Sequence, residues 1–231
     1  MPQSIAAARS HIFEKIAAAA LRAGRRPEKV RLVAVSKTVS LNRIREAADA
    51  GQEIFGENYL QEAAAKIGEI GRRLRWHFIG HLQSNKARQA AELFDMVETV
   101  DRLKVARLLN EHCQALDRCL DILVQINVGE EPQKSGVLPS EAEMLLDQLQ
   151  QFPRLRVLGL MTIPPFFDAP EKVRPFYRKL RILSEKFRAR NLLGRHGPVE
   201  LSMGMSGDFE SAIEEGATLV RVGTALFGSR H

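Results

Sequence analysis

The sequence predicts an α/β fold, a single (β/α)8 TIM barrel, because strand-like and helical segments alternate along most of the chain. Eight short apolar runs stand between helical stretches, and eight parallel strands close a barrel of this kind. An open, doubly wound sheet is the alternative, but that fold usually has a glycine-rich turn after its first strand, and SKTVSL at 36–41 has no glycine. The eight predicted strands cover residues 30–36, 53–56, 75–80, 95–100, 120–128, 155–163, 199–202 and 218–223.

An extra helix precedes the first strand. Residues 2–23 are amphipathic, so we assign 1–29 to an N-terminal helix and its lead-in. Helical stretches then follow the strands, and one of them, PSEAEMLLDQLQQF, begins with Ser140 and Glu143 at the spacing of a capping box. No repeat or linker-like stretch interrupts the chain, and we therefore predict one domain over residues 1–231.

The composition excludes several classes of protein. Of the 231 residues, 45% are hydrophobic and 27% are charged, which is typical of a soluble globular domain. No apolar run is long enough to span a membrane, and the amphipathic N-terminus does not resemble a signal peptide. Cys113 and Cys119 fit no metal or redox spacing. We expect a soluble cytoplasmic monomer that binds no membrane.

Nucleic acid and metal ions are also disfavoured as partners. The net charge is +6, but the basic residues are dispersed and only 6% of residues are aromatic, so no basic stripe with stacking platforms is present. A solvated basic surface without a specific nucleic-acid partner is the favoured interpretation. His77 and His81 have H-x3-H spacing, but this spacing binds metal on a helix, and here it spans a strand and its turn. We predict no metal site.

Polar candidates lie at the C-terminal ends of the predicted strands, where barrels carry their functional residues. Lys37 is the only charged residue of LVAVSKTVSL and follows the first strand. It is either a rim lysine whose stem packs on apolar surface while its ammonium group reaches water, or a reactive amine at the mouth of a site. Asn58, His81 and Lys134 follow the second, third and fifth strands.

The loops after the last two strands are rich in small residues. LSMGMSGDF supplies Ser202, Ser206 and Gly207, and RVGTALFG supplies Gly223 and Thr224. Small residues let backbone N–H groups approach an anion, and barrels frequently bind phosphate at these two loops. The alternative is two tight turns that need glycine for a positive φ. Taken together, the two loops favour a phosphate site.

This phosphate site and Lys37 would share one rim, because strand eight lies beside strand one in a closed barrel. A phosphate-anchored aldehyde that forms a Schiff base with a lysine describes pyridoxal 5′-phosphate (PLP). Arg221 precedes Gly223 by two residues, so its side chain lies on the same face of strand eight. The alternative role for Arg221 is a buried structural ion pair with an acidic residue nearby in sequence.

Several long segments resemble those of the pyridoxal-phosphate homeostasis protein family, of the YggS type. They are VAVSKTVS, FGENYLQE, WHFIGHLQSNK, LVQINVGEEPQKSG, GLMTIPP, LSMGMSGDFESAI and VRVGTALFG, spread over residues 30–228. The resemblance implies a PLP-binding TIM barrel like the N-terminal domain of alanine racemase. For single residues it implies a Schiff base on Lys37, a phosphate held by Ser206, Gly223 and Thr224, a pyridine nitrogen facing Arg221, and a ring close to Asn58. His81, Ser202 and Gly207, at the same strand ends, are further candidates for cofactor binding.

This arrangement predicts a carrier of PLP. An arginine at the pyridine nitrogen disfavours protonation of the ring, so carbanion chemistry is poorly supported. Neither Tyr59 nor Tyr177 is obviously placed as a second base, and the sequence ends eight residues after Gly223, so we expect no second domain. We therefore expect a protein of intracellular vitamin B6 homeostasis, without robust catalysis, that buffers PLP or delivers it to PLP-dependent apoenzymes. A weak amino-acid racemase, or another PLP enzyme of unknown substrate, is the alternative.

Lys134, in the loop after strand five, has two interpretations of its own. It is either a second amine that receives PLP transiently during release, or a solvated loop lysine.

Overall fold

The computed structural model describes residues 4–165, 167 and 169–228. The strands are β1 (Arg31–Val35), β2 (Ile54–Glu57), β3 (Arg75–Phe78), β4 (Met96–Val100), β5 (Leu120–Gln125), β6 (Leu155–Met161), β7 (Glu200–Ser202) and β8 (Leu219–Val222). The α-helices are α1 (Ile5–Arg22), α2 (Leu41–Asp49), α3 (Leu60–Ile70), α4 (Ala87–Leu93), α5 (Leu103–Ala115), α6 (Ala142–Leu149), α7 (Pro170–Ala189), α8 (Phe209–Glu214) and α9 (Thr224–Phe227).

The eight strands form a closed parallel barrel in the order β1 to β8, which confirms the predicted fold class. β8 pairs with β1 and places Arg221 beside Val33. Parallel barrel strands are covered on both faces, so they are nearly continuous apolar runs, as in LDILVQ of β5. The closure brings the loops after β1 and β8 to the same rim.

Two apolar cores lie on opposite sides of the barrel wall. The larger one packs the outward side chains of the strands against the helices. The smaller one contains only strand residues, and the alternation of side chains along each strand places it inside the barrel. Its buried members are Val33, Ile54, Met96, Leu123, Met161 and Leu219. This inner layer fills the barrel below the inward-facing residues that come later in the same strands.

The N-terminal helix α1 is present, as predicted, and packs against α8 and α9. Its buried residues include Ile5, Ile12, Ile16 and Ala19, spaced to form one helical face. The Ser4 hydroxyl oxygen accepts a hydrogen bond from the backbone N–H of Ala7 at 3.2 Å and caps the helix start. α1 therefore covers the outside of the barrel next to β8.

The predicted capping box at α6 is wrong. The helix begins at Ala142, its N-cap is Glu141, and no side chain caps it. A turn closed by the Glu141 N–H and the Leu138 carbonyl places Ser140 one residue too early to reach the first free N–H groups. The Glu143 carboxylate turns away and forms ion pairs with Lys186 of α7 and with Arg190, the residue after that helix.

Neither a membrane span nor a metal cluster is found in the part of the chain that the structure describes. None of its helices combines the length and the apolar character needed to cross a bilayer. Among the same residues, no group of three or more His, Cys, Asp or Glu side chains is arranged to hold a metal ion.

Candidate functional site

A cavity of about 480 Å³ opens at the C-terminal end of the barrel. Seven of the residues that the sequence singled out line it: Lys37, Asn58, Ser206, Gly207, Arg221, Gly223 and Thr224. The other lining residues are Asp208 and the apolar or proline side chains of Val35, Ile79, Ile163, Pro165, Phe167, Pro170 and Met205. The cavity thus combines polar groups from the ends of β1, β2, β7 and β8 with apolar walls, several of them after β6.

Three further candidates do not line this cavity. Ser202 is fully buried behind Arg221. His81 is exposed on the rim, where its Nδ1 lies 3.1 Å from the Ser135 hydroxyl. The Lys134 ammonium lies 2.7 Å from the Glu131 carboxylate and donates to the Pro164 carbonyl at 3.0 Å. Their role in cofactor binding stays a prediction.

Lys37 lies in a turn immediately after β1 and is half-buried. The next residue, Thr38, has φ +62°, in the left-handed region that non-glycine residues seldom adopt. Its backbone N–H donates to the Glu62 carboxylate at 2.5 Å. This charge-assisted hydrogen bond holds the turn in an unusual conformation.

The residue before Lys37 is held by the same group of side chains. The buried Lys66 ammonium donates to the Ser36 carbonyl at 2.6 Å, to Glu57 Oε1 at 2.8 Å and to Glu62 Oε1 at 2.6 Å. The Ser36 hydroxyl also donates to Glu57 Oε1, at 2.6 Å. We call Ser36, Glu57, Glu62 and Lys66 the outer cluster, because it lies between the barrel wall and α3. It fixes the backbone on both sides of Lys37.

The loops after β7 and β8 meet at Ser206. The Ser206 hydroxyl oxygen accepts hydrogen bonds from the backbone N–H groups of Gly223 at 3.3 Å and Ala225 at 3.4 Å. Gly204 makes this loop possible, because its φ is +94° and a Cβ there would lie 2.6 Å from the Ala212 Cβ. Two backbone donors and one hydroxyl therefore converge at the edge of the cavity, which is a donor set suited to an anion.

Arg221 lies on the inner wall of the barrel and is 4% exposed. Its Nη1 donates to the Ser202 hydroxyl oxygen at 2.6 Å, and its Nη2 donates to the Thr162 carbonyl at 2.8 Å. The Ser202 hydroxyl donates in turn to Glu98 Oε2 at 2.5 Å. The carboxylate joined to Arg221 by hydrogen bonds is therefore Glu98 of β4, reached through a serine.

His77 completes this buried group. Its Nδ1 lies 2.7 Å from Glu98 Oε1, and because a carboxylate only accepts hydrogen bonds, this nitrogen carries the proton. We call His77, Glu98, Ser202 and Arg221 the inner cluster, since their side chains lie inside the barrel. Burial works against the charged form of Glu98, but the hydrogen bonds from His77 and Ser202 and the charge of Arg221 outweigh it and lower the pKa of this carboxyl.

Asn58 contributes an acceptor to the cavity wall. Its Oδ1 is buried and has no hydrogen-bond partner within the described ranges. Its backbone is fixed by a close approach to Gly80, where a Cβ would lie 2.2 Å from the Asn58 carbonyl oxygen. A buried acceptor without a partner carries a free-energy penalty, which a bound donor would remove.

The sequence predictions missed Glu57, Glu62, Lys66 and Glu98, and they considered His77 only as a metal ligand. One feature of the sequence could have indicated that three of these residues are buried and paired. Glu57, His77 and Glu98 each interrupt an apolar strand, and both faces of a parallel barrel strand are covered, so an ionisable residue there must have a buried partner. Lys66 carries no such signal, because AAAKIGE is also a normal solvent-facing helix sequence.

Comparison with known proteins gives the family. Residues 9–231 match the family described as "Alanine racemase, N-terminal domain". A protein of Escherichia coli K12 named "Pyridoxal phosphate homeostasis protein" is 46% identical over 227 residues, which cover 96% of this chain and 94% of the relative. The chain belongs to the pyridoxal phosphate homeostasis protein family.

Solved structures agree with this membership. PipY of Synechococcus elongatus PCC7942, a protein of the same fold solved with PLP bound, is 39% identical, with a TM-score of 0.81. The alignment covers 94% of this chain and all of the PipY chain. An alanine racemase of Clostridium difficile 630 has a TM-score of 0.74 at 16% identity and shows the fold alone; the match covers 96% of this chain and 56% of the racemase.

Proposed function

We propose that this member of the pyridoxal phosphate homeostasis protein family binds PLP through Lys37 and acts in vitamin B6 homeostasis, by buffering the cofactor or delivering it to PLP-dependent apoenzymes. One observation carries the proposal. A lysine held in a fixed turn, a set of anion donors and a buried arginine line one cavity. The PLP bound to the related PipY structure supports the choice of cofactor.

The residues of the cavity fit this cofactor. The Ser206 hydroxyl and the N–H groups of Gly223 and Ala225 would hold the phosphate, with Thr224 beside them. The buried Oδ1 of Asn58 and the side chain of Arg221 would contact the ring. The Lys37 amine would hold the cofactor through its aldehyde carbon as a Schiff base, with loss of one water molecule; the aldehyde is the chemistry that PLP would supply here. Gly207 lines the same cavity, and His81 and Ser202 complete the proposed set of binding residues from outside its wall.

The surroundings favour holding the cofactor over catalysis. An arginine near the ring nitrogen disfavours its protonation, which weakens the ring as an electron sink. Tyr59 and Tyr177, the two tyrosines of the sequence, are absent from the cavity wall. Burial raises the pKa of the Tyr177 hydroxyl, so this group keeps its proton and does not supply a phenolate base. A weak racemase is the second candidate, and the support for it is the shared fold alone.

Lys134 is proposed as a second amine that receives PLP during release. Its ammonium is engaged by Glu131 and by the Pro164 carbonyl, and these two contacts would have to open first. The same contacts support the other interpretation, a lysine that fastens the loop after β5 to the loop after β6.

The experiment that tests the proposal is reduction of the PLP-loaded protein with borohydride, followed by peptide mass spectrometry. We expect a yellow protein whose pyridoxyl group is fixed on Lys37, and a colourless Lys37→Ala variant. Lys104→Ala is the matched control, since Lys104 is an exposed lysine of α5, and it should keep the full visible band. A visible band of unchanged intensity in Lys37→Ala would overturn the assignment.

Two further measurements separate carrier from enzyme. Incubation with L-amino acids and chiral analysis should show no turnover at ordinary enzyme rates. Mixing the loaded protein with an excess of a PLP-dependent apoenzyme should move the cofactor to that enzyme. Turnover at rates of about 1 s⁻¹ or more would replace the carrier function by the racemase alternative.

A further inference from the structure

We propose that Ser202 and Glu98 are positioning residues: they hold the Arg221 guanidinium at the inner wall of the cavity, and they thereby make the site select a ligand with a ring nitrogen. The inference rests on the proposed function, in which Arg221 faces the pyridine nitrogen. It changes the role predicted for Ser202 from a direct cofactor contact to a group that acts through Arg221.

The geometry of the inner cluster carries this inference. The Ser202 hydroxyl accepts from Arg221 Nη1 at 2.6 Å and donates to Glu98 Oε2 at 2.5 Å. A hydroxyl has one proton, so its donation to the carboxylate turns its lone pairs toward the arginine. The Thr162 carbonyl holds Nη2 at 2.8 Å, and the planar guanidinium is thus held at two of its corners.

This arrangement leaves N–H groups of Arg221 for a ligand. A guanidinium has five N–H donors, and the two hydrogen bonds to Ser202 and Thr162 occupy two of them. Arg221 also lines the cavity, so part of the fork faces the space where a ligand binds. Without Ser202, the Arg221 guanidinium would lose one of its two fixed contacts and, with it, its fixed orientation.

Glu98 supplies the charge that this position requires. Arg221 is buried, and a buried cation needs a compensating anion close by. The charged or ionisable groups that interact with Arg221 are Glu98, Tyr177 and Asp208. Among them, Glu98 is the one joined to Arg221 through a hydrogen-bonded side chain, and His77 holds its other oxygen at 2.7 Å. The carboxylate is therefore fixed at both oxygens.

The consequence is a preference between two ligands of the same shape. PLP has a ring nitrogen that accepts a hydrogen bond, whereas the analogue with C–H in place of that nitrogen does not. A site built to hydrogen-bond a ligand rejects the analogue that lacks the partner atom, because its own donor is then left unpaired in a buried place. The preference should depend on how firmly the donor is held.

The test measures dissociation constants for PLP and for this C–H analogue, by the visible band and by fluorescence, in four proteins. The wild type should bind PLP about tenfold or more tightly than the analogue. In Ser202→Ala and in Glu98→Gln the preference should fall to about threefold or less, because only binding of the nitrogen-containing ligand weakens. Ser184→Ala is the matched control: Ser184 is a buried serine of α7 whose hydroxyl contacts its own helix, and this variant should keep the wild-type preference.

The outcomes separate the inference from the proposed function. An equal loss of affinity for both ligands in the variants indicates a purely structural role and overturns the inference, as does an unchanged preference. If Ser202→Ala does not fold, the isosteric Glu98→Gln variant decides alone. If the wild type binds both ligands equally, Arg221 does not contact the ring nitrogen and the inference is wrong. Borohydride reduction onto Lys37 still tests the proposed function independently.

Discussion

The outer and inner clusters both hold buried charged side chains, but in different parts of the barrel. Both bury carboxylates together with a cation, and both lie next to the candidate cofactor site. The outer cluster, between the barrel wall and α3, binds the backbone on either side of Lys37. In the inner cluster, inside the barrel, Ser202 binds the side chain of Arg221. The first therefore fixes the backbone from which the Lys37 side chain extends, and the second fixes the position of the Arg221 guanidinium.

The two fully buried glutamates differ in how they are satisfied. At Glu57, both the Ser36 hydroxyl and the Lys66 ammonium bind Oε1, and Oε2 has no hydrogen-bond partner among the residues described. Burial therefore prevails and raises the pKa of this carboxyl. At Glu98 each oxygen has its own donor, and the pKa is lowered. Each glutamate is hydrogen-bonded by two side chains; the charge of Glu62 adds to the effect of burial at Glu57, whereas the charge of Arg221 opposes burial at Glu98, and the two pKa values therefore move in opposite directions.

The largest expected effect comes from Lys66→Met. This change removes the buried ammonium and leaves Glu57 without its counter-charge, so we expect the free energy of unfolding to fall by about 3–5 kcal/mol. PLP binding at Lys37 should weaken as well, because the Ser36 carbonyl loses its partner. Urea unfolding and titration of the visible band measure the two effects.

The double variant Lys66→Met, Glu57→Gln is the control. Neutralising Glu57 removes the unpaired charge, so the double variant should be more stable than Lys66→Met alone. If the two losses simply add, the ion pair between these residues is not what stabilises the outer cluster.

The pH dependence of the free energy of unfolding should differ in sign between the two glutamates. The ordinary pKa of a glutamate is 4.5. Because the folded pKa of Glu57 is raised, the folded state holds the proton above this pH, and the stability of the wild type relative to Glu57→Gln should fall as the pH rises from 4.5 through the folded value. For Glu98, whose folded pKa is lowered, the stability relative to Glu98→Gln should be complete above 4.5 and lost as the pH falls through the folded value.

Urea unfolding of the three proteins between about pH 3 and 7 measures these slopes. Slopes of the same sign for both glutamates would contradict the difference between the clusters.

The smallest expected effect comes from Glu62→Gln. The Glu62 side chain is 26% exposed, so part of its interaction with Lys66 and the Thr38 N–H is replaced by water. We expect a loss of about 1 kcal/mol in the free energy of unfolding. Glu69→Gln, an exposed glutamate of the same helix, should change it by less than about 0.5 kcal/mol. Equal effects of the two variants would show that Glu62 does not hold the turn.

Much of the architecture could be predicted because it depends on patterns that local sequence carries. Each of the eight predicted strands has a counterpart in the barrel, with ends that coincide or differ by at most three residues. The positions of Lys37 and Arg221 at one cavity follow from strand order, since β8 must adjoin β1 when the barrel closes. The helix start at Ser140 could not be predicted as well, because a turn from Leu138 competes with the cap.

The clusters themselves were beyond sequence analysis for a different reason. Glu98 and Ser202 are 104 residues apart, and Glu98 and His77 are 21 apart. Which inward residues of different strands face each other depends on the stagger of the barrel, and irregular register in the β4–β5 and β5–β6 pairings alters that stagger. A buried ionisable residue indicates that it has a partner, but which residue that partner is depends on the three-dimensional fold.

The approach of Gly80 to Asn58 limits how this site can evolve. Every amino acid except glycine carries a Cβ, and at position 80 that atom would overlap the backbone carbonyl oxygen of Asn58. A mutation of codon 80 therefore displaces the end of β2 together with the side chain beside the proposed cofactor ring. We therefore expect position 80 to accept glycine alone, although this residue does not line the cavity.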